Sequence, residues 1–472
     1  MIQTKKTRDF TVGPILPQII KFSIPLMITG VMQLLFNTAD TVMVGRWGGA
    51  TPEECENALA AVGSCGSLIN LIVILFANLS LGAGVSVAQD IGSKNWDGVQ
   101  KTVHTSVVLA FFSSVVVMLI GFIGARPLLI LMGTDPAVLD GAAAYMVAYF
   151  CGIPATMLYN YCSAILRNSG ETVRPLRYLL VAGIVNVGLN FVMVLVFHLG
   201  AMGVGIATAA SLWVSCILIV VHMMRTDACY RLDWRKLGID VKKLKIILRI
   251  GIPAGVQGMI FSFSHVMIQS PINSFGKAVV AGNAAAVNID GYAYQPMNAI
   301  YQVAVTFVAQ HKGAKKFQRM KKCILLCVLS VVVVGMALCW TILALGPYLL
   351  QFYVPGNPEA IEAGMARMNT ALSVYFLCGL MEVGSGIMRG LGRSTTSMVT
   401  SLVGSVAFRI VWILWIFPLN PTLTMLYLSY PIAWVLTSCA HYILSFFAVR
   451  QEIRKAEQER VLDSLEQPQA EA

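Results

Sequence analysis

Two stretches, Thr102–Gly124 (TVHTSVVLAFFSSVVVMLIGFIG) and Ile324–Leu345 (ILLCVLSVVVVGMALCWTILAL), contain no Asp, Glu, Lys or Arg. A run of about 20 apolar residues spans the hydrocarbon core of a bilayer as a single helix. Such runs recur along the whole chain. Of 472 residues, 57% are hydrophobic and 12% charged, against about 45–50% and about 25% in soluble domains. A water-soluble chain of this composition could not cover its own surface. The sequence therefore predicts an all-α integral membrane protein.

Working outward from these two runs, polar punctuation separates twelve apolar segments: 22–45, 59–89, 102–125, 138–166, 176–197, 201–224, 248–272, 279–310, 323–346, 360–388, 395–417 and 422–448. With the N-terminus in the cytoplasm, 29 of the 34 Lys and Arg residues fall on the cytoplasmic side. Arg46, Arg126, Lys277 and Arg367 fall on the other side, and Arg409 lies within a span. This asymmetry places both termini inside. It also accounts for the formal charge of +11 without nucleic acid, since the basic residues are spread over the loops with no aromatic interleaving. Residues 1–21 read as a cytoplasmic tail, with no cleavable signal and with the first helix beginning near Phe22. Residues 225–247 read as a basic cytoplasmic linker, and 449–472 as a cytoplasmic helical extension followed by disorder. None of the eleven cysteines forms a CxxC pair, and most sit inside apolar runs, as small core residues do.

Self-comparison shows a repeat. At an offset of 221, Ala83, Val87, Ala88, Gln89, Gly92, Lys94 and Lys101 match Ala304, Val308, Ala309, Gln310, Gly313, Lys315 and Lys322. At 222, Pro136, Ser163, Ile165, Arg167 and Gly170 match Pro358, Ser385, Ile387, Arg389 and Gly392. At 228, Ile24, Pro25, Gly30 and Gly48 match Ile252, Pro253, Gly258 and Gly276, the shift arising because the acidic loop Thr51–Asn57 has no counterpart. The expected architecture is twelve transmembrane helices in two parallel six-helix repeats, related by a pseudo-two-fold axis along the membrane normal. They form an N-lobe (22–224) and a C-lobe (248–448). Halves of this kind open a site alternately to either side, which is how secondary transporters work.

The same blocks resemble the MATE (multidrug and toxic compound extrusion) family of prokaryotic efflux transporters. Pro25–Gly48 (PLMITGVMQLLFNTADTVMVGRWG) resembles its first helix, with Gln33, Asn37 and Asp40 in the Gln…Asn-x-x-Asp run. Leu166–Pro175 (LRNSGETVRP) resembles the LRGxGDTxxP loop, Met388–Thr395 (MRGLGRST) its second copy, and Val303–Lys315 (VAVTFVAQHKGAK) the TxVGQNxGA segment. The resemblance covers about residues 15–450. It implies an antiporter in a bacterial cell membrane, acting as a monomer, that exports organic, cationic compounds in exchange for H⁺ or Na⁺. The alternative within the same superfamily is a lipid-linked oligosaccharide flippase. No enzyme motif competes: there is no HExxH, no Ser/His/Asp cluster and no cofactor signature, and the six histidines are scattered.

Charged groups inside a span cost about 2.5–3.5 kcal/mol even on a mild scale, so each is a functional candidate. Asp40 lies four residues, about 6 Å, inside the expected end of the first span and is the candidate for H⁺ or Na⁺ coupling, with Gln33 and Asn37 beside it. Asn186 and Asn190 share a face of the fifth span one turn apart. Asn190 stands where one branch of the family has Asp, so the N-lobe holds one carboxylate. The C-lobe carries Asp290, Glu382 and Arg409, a set that predicts an ion pair plus a spare carboxylate, with Glu382 as the second coupling candidate. Gly291 and Pro296 predict a kink beside Asp290, and His265 is expected in the core. Met27, Phe36, Tyr294 and Tyr301 are candidates to line a cavity.

Overall fold

The computed structural model describes residues 8–466, and every regular element among them is helical. In the first half these are α1 (Ile15–Trp47), α2 (Pro52–Gly92), α3 (Trp96–Leu131), α4 (Pro136–Phe150), α5 (Ile153–Asn168), α6 (Val173–Asn190) and α7 (Gly200–Arg225). The second half has α8 (Val241–Asn273), α9 (Lys277–Gly313), α10 (Phe317–Ala344), α11 (Gly346–Tyr353), α12 (Pro358–Thr370), α13 (Phe376–Gly390), α14 (Ser394–Ser401), α15 (Phe408–Val411) and α16 (Leu423–Glu466). Nine helical stretches among these residues are long and apolar enough to cross a bilayer, and two bent pairs raise the number to eleven. Ile123, Ile184, Val266, Val333, Trp415 and Phe446 stand exposed on six different stretches. Apolar side chains on outer faces as well as inner ones are what a lipid solvent selects. The protein is a multi-pass α-helical membrane protein.

Several boundaries differ from the sequence-based expectation, each for a local reason. The first helix starts at Ile15, not near Phe22. Pro17 costs nothing there, because first-turn N–H groups have no helical partner. The stretch also has apolar surface to bury: Phe10 stacks on Phe307 at 4.2 Å, and Phe22 meets Phe10 edge-on at 5.4 Å. Segments 138–166 and 360–388 are each two helices, bent by 45° between α4 and α5 and by 46° between α12 and α13. Pro154 in the first turn of α5 has no N–H to offer the carbonyl of Phe150. The second bend is a 3₁₀ turn at Leu372–Val374, which tightens the chain without proline. The expected kink at Gly291 and Pro296 does not break α9, which runs uninterrupted from Lys277 to Gly313. The expected helical extension continues α16 to Glu466, and the disordered tail expected beyond it lies outside the described residues.

Repeat-equivalent residues stop helices in the same way in both halves. Gly170 and Gly392 have φ of 92° and 77°, Gly133 and Gly356 both 73°, and Lys94 and Lys315 59° and 54°. After Gly170 the N–H of Glu171 donates to the carbonyl of Leu166 at 2.9 Å; after Gly392 the N–H of Arg393 donates to that of Met388 at 2.9 Å. This six-to-one bond needs a left-handed residue at the turn, which glycine supplies without strain. The next helices are capped alike: Asp135 accepts from Ala137 N–H at 2.8 Å and Asn357 from Ala360 N–H at 3.1 Å. The sequence repeat is thus a repeat of backbone conformation.

The chain divides into two compact units. The first comprises residues 24–87 and 95–259, with Arg8; the second 9–23, 88–94 and 260–466. In the first, Val44, Cys65, Leu129, Met146, Phe150, Met157 and Val204 form one apolar core. Gly251, Gly255 and Gly258 line one side of α8, where added Cβ atoms would strike Leu79, Leu75 and Ile74 of α2. Small residues at this spacing let two membrane helices approach closely. In the second unit, Ile272, Cys378, Tyr427, Tyr430 and Trp434 form one core, and Ala286, Cys339, Leu350 and Met368 another.

Candidate functional site

Asp40 lies seven residues before Trp47, the end of α1, so it is about 10 Å inside that end, deeper than the sequence indicated. One turn earlier, Phe36 packs where a Cβ on Gly183 of α6 would stand. The missing side chain brings α6 close enough for Asn190, its last residue, to donate from Nδ2 to Asp40 Oδ1 at 2.5 Å. The same Nδ2 lies 3.3 Å from Asn186 Oδ1. Asn186 Nδ2 donates to Thr208 Oγ1 of α7 at 3.4 Å, and the Thr208 hydroxyl donates to Asp40 Oδ2 at 3.5 Å. The ring closes on itself: Asp40, Asn190, Asn186, Thr208. A π-helical turn, Phe191–Val196, begins immediately after Asn190, the wide turn that recurs at functional positions of helices.

Three helices therefore converge on one formal charge. Asn186 and Asn190 are buried, and Asn190 Oδ1 makes no hydrogen bond. The carboxylate, two amide oxygens and a hydroxyl form an oxygen-only set, the type that suits a hard cation; the carboxylate alone can also accept a proton. Among the described residues, no group of three or more His, Cys, Asp or Glu is arranged to hold a metal ion. Gln33 and Asn37 are exposed on α1, and the ring forms without them. Thr208 was not singled out from the sequence; a lone threonine among the alanines of Ala207–Ala210 was the available signal.

In the second unit the expected ion pair forms with a different arginine. Asp290 Oδ2 of α9 is 3.0 Å from both Nε and Nη2 of Arg367 on α12. Arg367 Nη1 also donates to Asn283 Oδ1 at 3.2 Å, which accepts from the Tyr427 hydroxyl at 3.2 Å. Arg367 was assigned to the outer loop set by charge counting, yet it is buried, with only 6% of its surface exposed. Counting bases by face cannot distinguish an arginine at the outer surface from one buried in the last turn of a short polar helix such as α12.

Arg409, expected to pair with Asp290 or Glu382, forms no ion pair among the described residues. Its guanidinium lies 4.3 Å from the ring centroid of Tyr430, and its buried Nε has no hydrogen-bond partner. Glu382 on α13 is half-buried and likewise forms no ion pair there. Arg389, at the end of α13, donates to the Tyr301 hydroxyl at 2.5 Å and lies over that ring at 5.6 Å. Tyr301 is thus buried, whereas Met27, Phe36 and Tyr294 are half-buried. His265 is exposed on α8 and is not a core residue.

Comparison with known proteins identifies the family. The MatE family model matches residues 25–192 and 253–415, two stretches whose starts are separated by the repeat's own offset of 228. The chain is 26% identical over 388 residues to the probable multidrug resistance protein YoeA of Bacillus subtilis, covering 81% of this chain and 82% of that one. It is 25% identical over 403 residues to the probable multidrug resistance protein YpnP of the same organism, covering 84% and 87%. Its fold superposes on a MOP superfamily transporter from Pyrococcus furiosus with a TM-score of 0.88 at 19% identity, covering 95% of this chain and 99% of that one. With the family model on both halves and the helical membrane fold beneath it, the chain belongs to the MatE family and is a secondary transporter, not an enzyme.

Proposed function

We propose that the protein exports organic cations from a bacterial cell in exchange for H⁺ or Na⁺, and that Asp40 is the residue on which the exchanged cation binds. The ring of Asp40, Asn190, Asn186 and Thr208 carries this reading. A carboxylate in a membrane helix is costly unless it has a partner, and here every partner is neutral. The charge is held in place by amide and hydroxyl donors but not cancelled, so an incoming cation meets an uncompensated negative site. The multidrug resistance proteins YoeA and YpnP are named for handling foreign compounds, which supports a substrate class of varied organic molecules.

In this proposal twelve spans form two six-helix lobes, with both termini in the cytoplasm, and one chain acts alone. The twelfth span is α9, which falls short of the apolar criterion because it carries Asn283, Asn288, Asp290, Asn298 and Gln302. Polar residues on one helix of a bundle are tolerated where they face protein or water, and Asn283 and Asp290 are buried. The lobes rock so that the site opens to one side at a time. The test is a fluorescent cation in proteoliposomes, with imposed H⁺ and Na⁺ gradients compared. Asp40→Asn keeps the side-chain shape and should abolish gradient-driven export with expression intact. Normal export by Asp40→Asn, together with a dead Glu382→Gln, would move the coupling site to the second half.

A further inference from the structure

The last helix is longer than a membrane needs. α16 runs for 44 residues, from Leu423 to Glu466, which is about 66 Å at 1.5 Å per residue, against about 30 Å of hydrocarbon. It carries no Asp, Glu, Lys or Arg before Arg450, where a charged extension opens. At 3.6 residues per turn, Glu452 and Glu459 fall on one face of that extension, and Arg450 and Arg454 on the opposite one. The acidic face is matched. Lys312 and Arg393 lie 3.6 and 3.4 Å from Glu452, and Lys315 lies 2.6 Å from Glu459. The basic face is not: Arg450 and Arg454 are exposed, and among the described residues neither forms an ion pair.

That basic face forms one wall of a groove within the second unit. α10 and α16 flank α13: a Cβ added to Gly379 of α13 would strike Val331 of α10, and one added to Gly384 would strike His441 of α16. The Tyr442 hydroxyl of α16 also donates to the carbonyl of Leu380 at 2.9 Å. Toward the charged ends of α10 and α16 a cavity of about 560 Å³ remains between them. Ile324, Phe446 and Val449 make its inner part apolar; Lys321, Arg450 and Arg454 make its outer part basic, against one acid, Glu457. The change from apolar to basic falls at the same level on both helices, since the charge-free run of α10 starts after Lys322 and that of α16 ends before Arg450. Ser445 also lines the cavity; it is 4% exposed, and its buried hydroxyl makes no hydrogen bond. Ser429 and Thr437 on the same helix instead donate to backbone carbonyls, at 2.6 and 2.7 Å. A buried hydroxyl left without a partner is costly, so the groove offers a donor to an occupant.

We infer that this groove is a binding site for an anionic glycerophospholipid of the cytoplasmic leaflet. Its phosphodiester sits among Lys321, Arg450 and Arg454, where arginine forks match phosphate oxygens. An acyl chain runs inward along Ile324, Phe446 and Val449. Ser445 lies five residues, about 7.5 Å, inward of Arg450, and its hydroxyl donates to an ester carbonyl of the same lipid. Anionic lipids of that leaflet attract Lys and Arg at the membrane boundary. Free phosphate would satisfy the bases but leave the apolar wall and the Ser445 hydroxyl without a partner, which favours the lipid. The site is separate from the ring at Asp40. It rests on the cytoplasmic placement of the termini proposed above and not on which compound is exported.

The experiment titrates purified full-length protein in detergent with dioleoylphosphatidylglycerol or dioleoylphosphatidylcholine and reads the affinity of the first bound lipid by native mass spectrometry. The wild type should prefer phosphatidylglycerol. Arg450→Gln with Arg454→Gln should reduce that preference by about 30-fold, at about fivefold per basic residue. Lys321→Gln, on the other helix, should reduce it about fivefold, and it stands in if the double variant does not fold. Ser445→Ala should weaken both lipids alike by about 2–10-fold, since both carry the ester. Lys315→Gln with Lys455→Gln removes two charges from the opposite face of the extension and should leave the preference unchanged. Equal binding of the two lipids by the wild type overturns the inference, as does a preference unchanged in the groove variants. An equal loss in the opposite-face variant overturns it too, by showing charge attraction without a site. Glycerol 3-phosphate that displaces phosphatidylglycerol at equal concentration, or Ser445→Ala without effect, would make the groove a phosphate site and refute the lipid. Each of these results leaves the exporter function to its own test.

Discussion

Replacing Asp290 by Asn keeps the outline of the side chain and removes the one formal negative charge that faces Arg367. In the wild type Asp290 Oδ2 is 3.0 Å from both Nε and Nη2 of Arg367, and both residues are buried. The substitution leaves Arg367 with Asn283 Oδ1 at 3.2 Å and the rings of Tyr427 and Tyr430 at 5.6 and 5.2 Å. The guanidinium of Arg367 then stands unpaired beside the ring of Tyr430, which the guanidinium of Arg409 also faces. Breaking a buried pair by deleting one partner costs about 3–5 kcal/mol, because the surviving charge stays desolvated. At about 2–4 °C per kcal/mol for a unit of roughly 200 residues, the apparent unfolding midpoint should fall by about 6–20 °C. Thermal unfolding in detergent, followed by tryptophan fluorescence, reads this directly. Deleting both charges, as in Asp290→Asn with Arg367→Gln, should recover part of the loss, since the desolvated cation goes as well. A single variant within about 2 °C of wild type, or a double variant whose losses simply add, would show that the pair contributes nothing beyond its separate contacts.

Other outcomes follow from the same geometry. Thr208→Val removes a long hydrogen bond, 3.5 Å from Asp40 Oδ2, so gradient-driven export should fall only about 2–10-fold, within the range of one modest hydrogen bond; complete loss would mean that Thr208 is a ligand in its own right. Asp240 caps α8, accepting from Lys243 N–H at 2.9 Å, and that bond holds its carboxyl below the usual carboxylate range. A depressed folded-state value stabilises above the ordinary carboxylate range and is lost as the pH falls through the depressed value. Asp240→Ala should therefore lower the unfolding midpoint at neutral pH by an amount that shrinks on acidification, and a constant difference would exclude the charged cap. For topology, native Cys151 and Cys439 are exposed and must first become Ser. In that background Glu54→Cys should label from outside intact cells and Arg235→Cys should not; the reverse pattern would invert the protein.

What the sequence could disclose was whatever depends on neighbours along the chain. Helix stops at Gly170 and Gly392 and caps at Asp135 and Asn357 are set within a few residues, so they recur wherever the local sequence recurs, and the repeat could be found before any coordinates. The pairing of Asn186 with Asn190 on one face was legible for the same reason, being one helical turn. Their meeting with Asp40 followed from a weaker argument, that polar groups in separate spans avoid lipid by facing one another. Contacts between helices set by packing were not legible in this way. Charge counting made Arg409 the natural partner for Asp290, because it set Arg367 on the outer face although that residue lies within the apolar segment 360–388. The structure reverses the two: α12 is a short helix bent away from α13, and it packs on α9 with Ala360 against Gly282, and Gly282 lies two turns before Asp290. That glycine decides the partner, since only its missing side chain lets α12 come close enough to lay Arg367 on the carboxylate. Arg409 is left on a segment between two π turns, where 3.6-residue periodicity no longer says which way a side chain points. An unpaired arginine in that position is a feature of the folded chain that hydropathy could not have distinguished from a paired one.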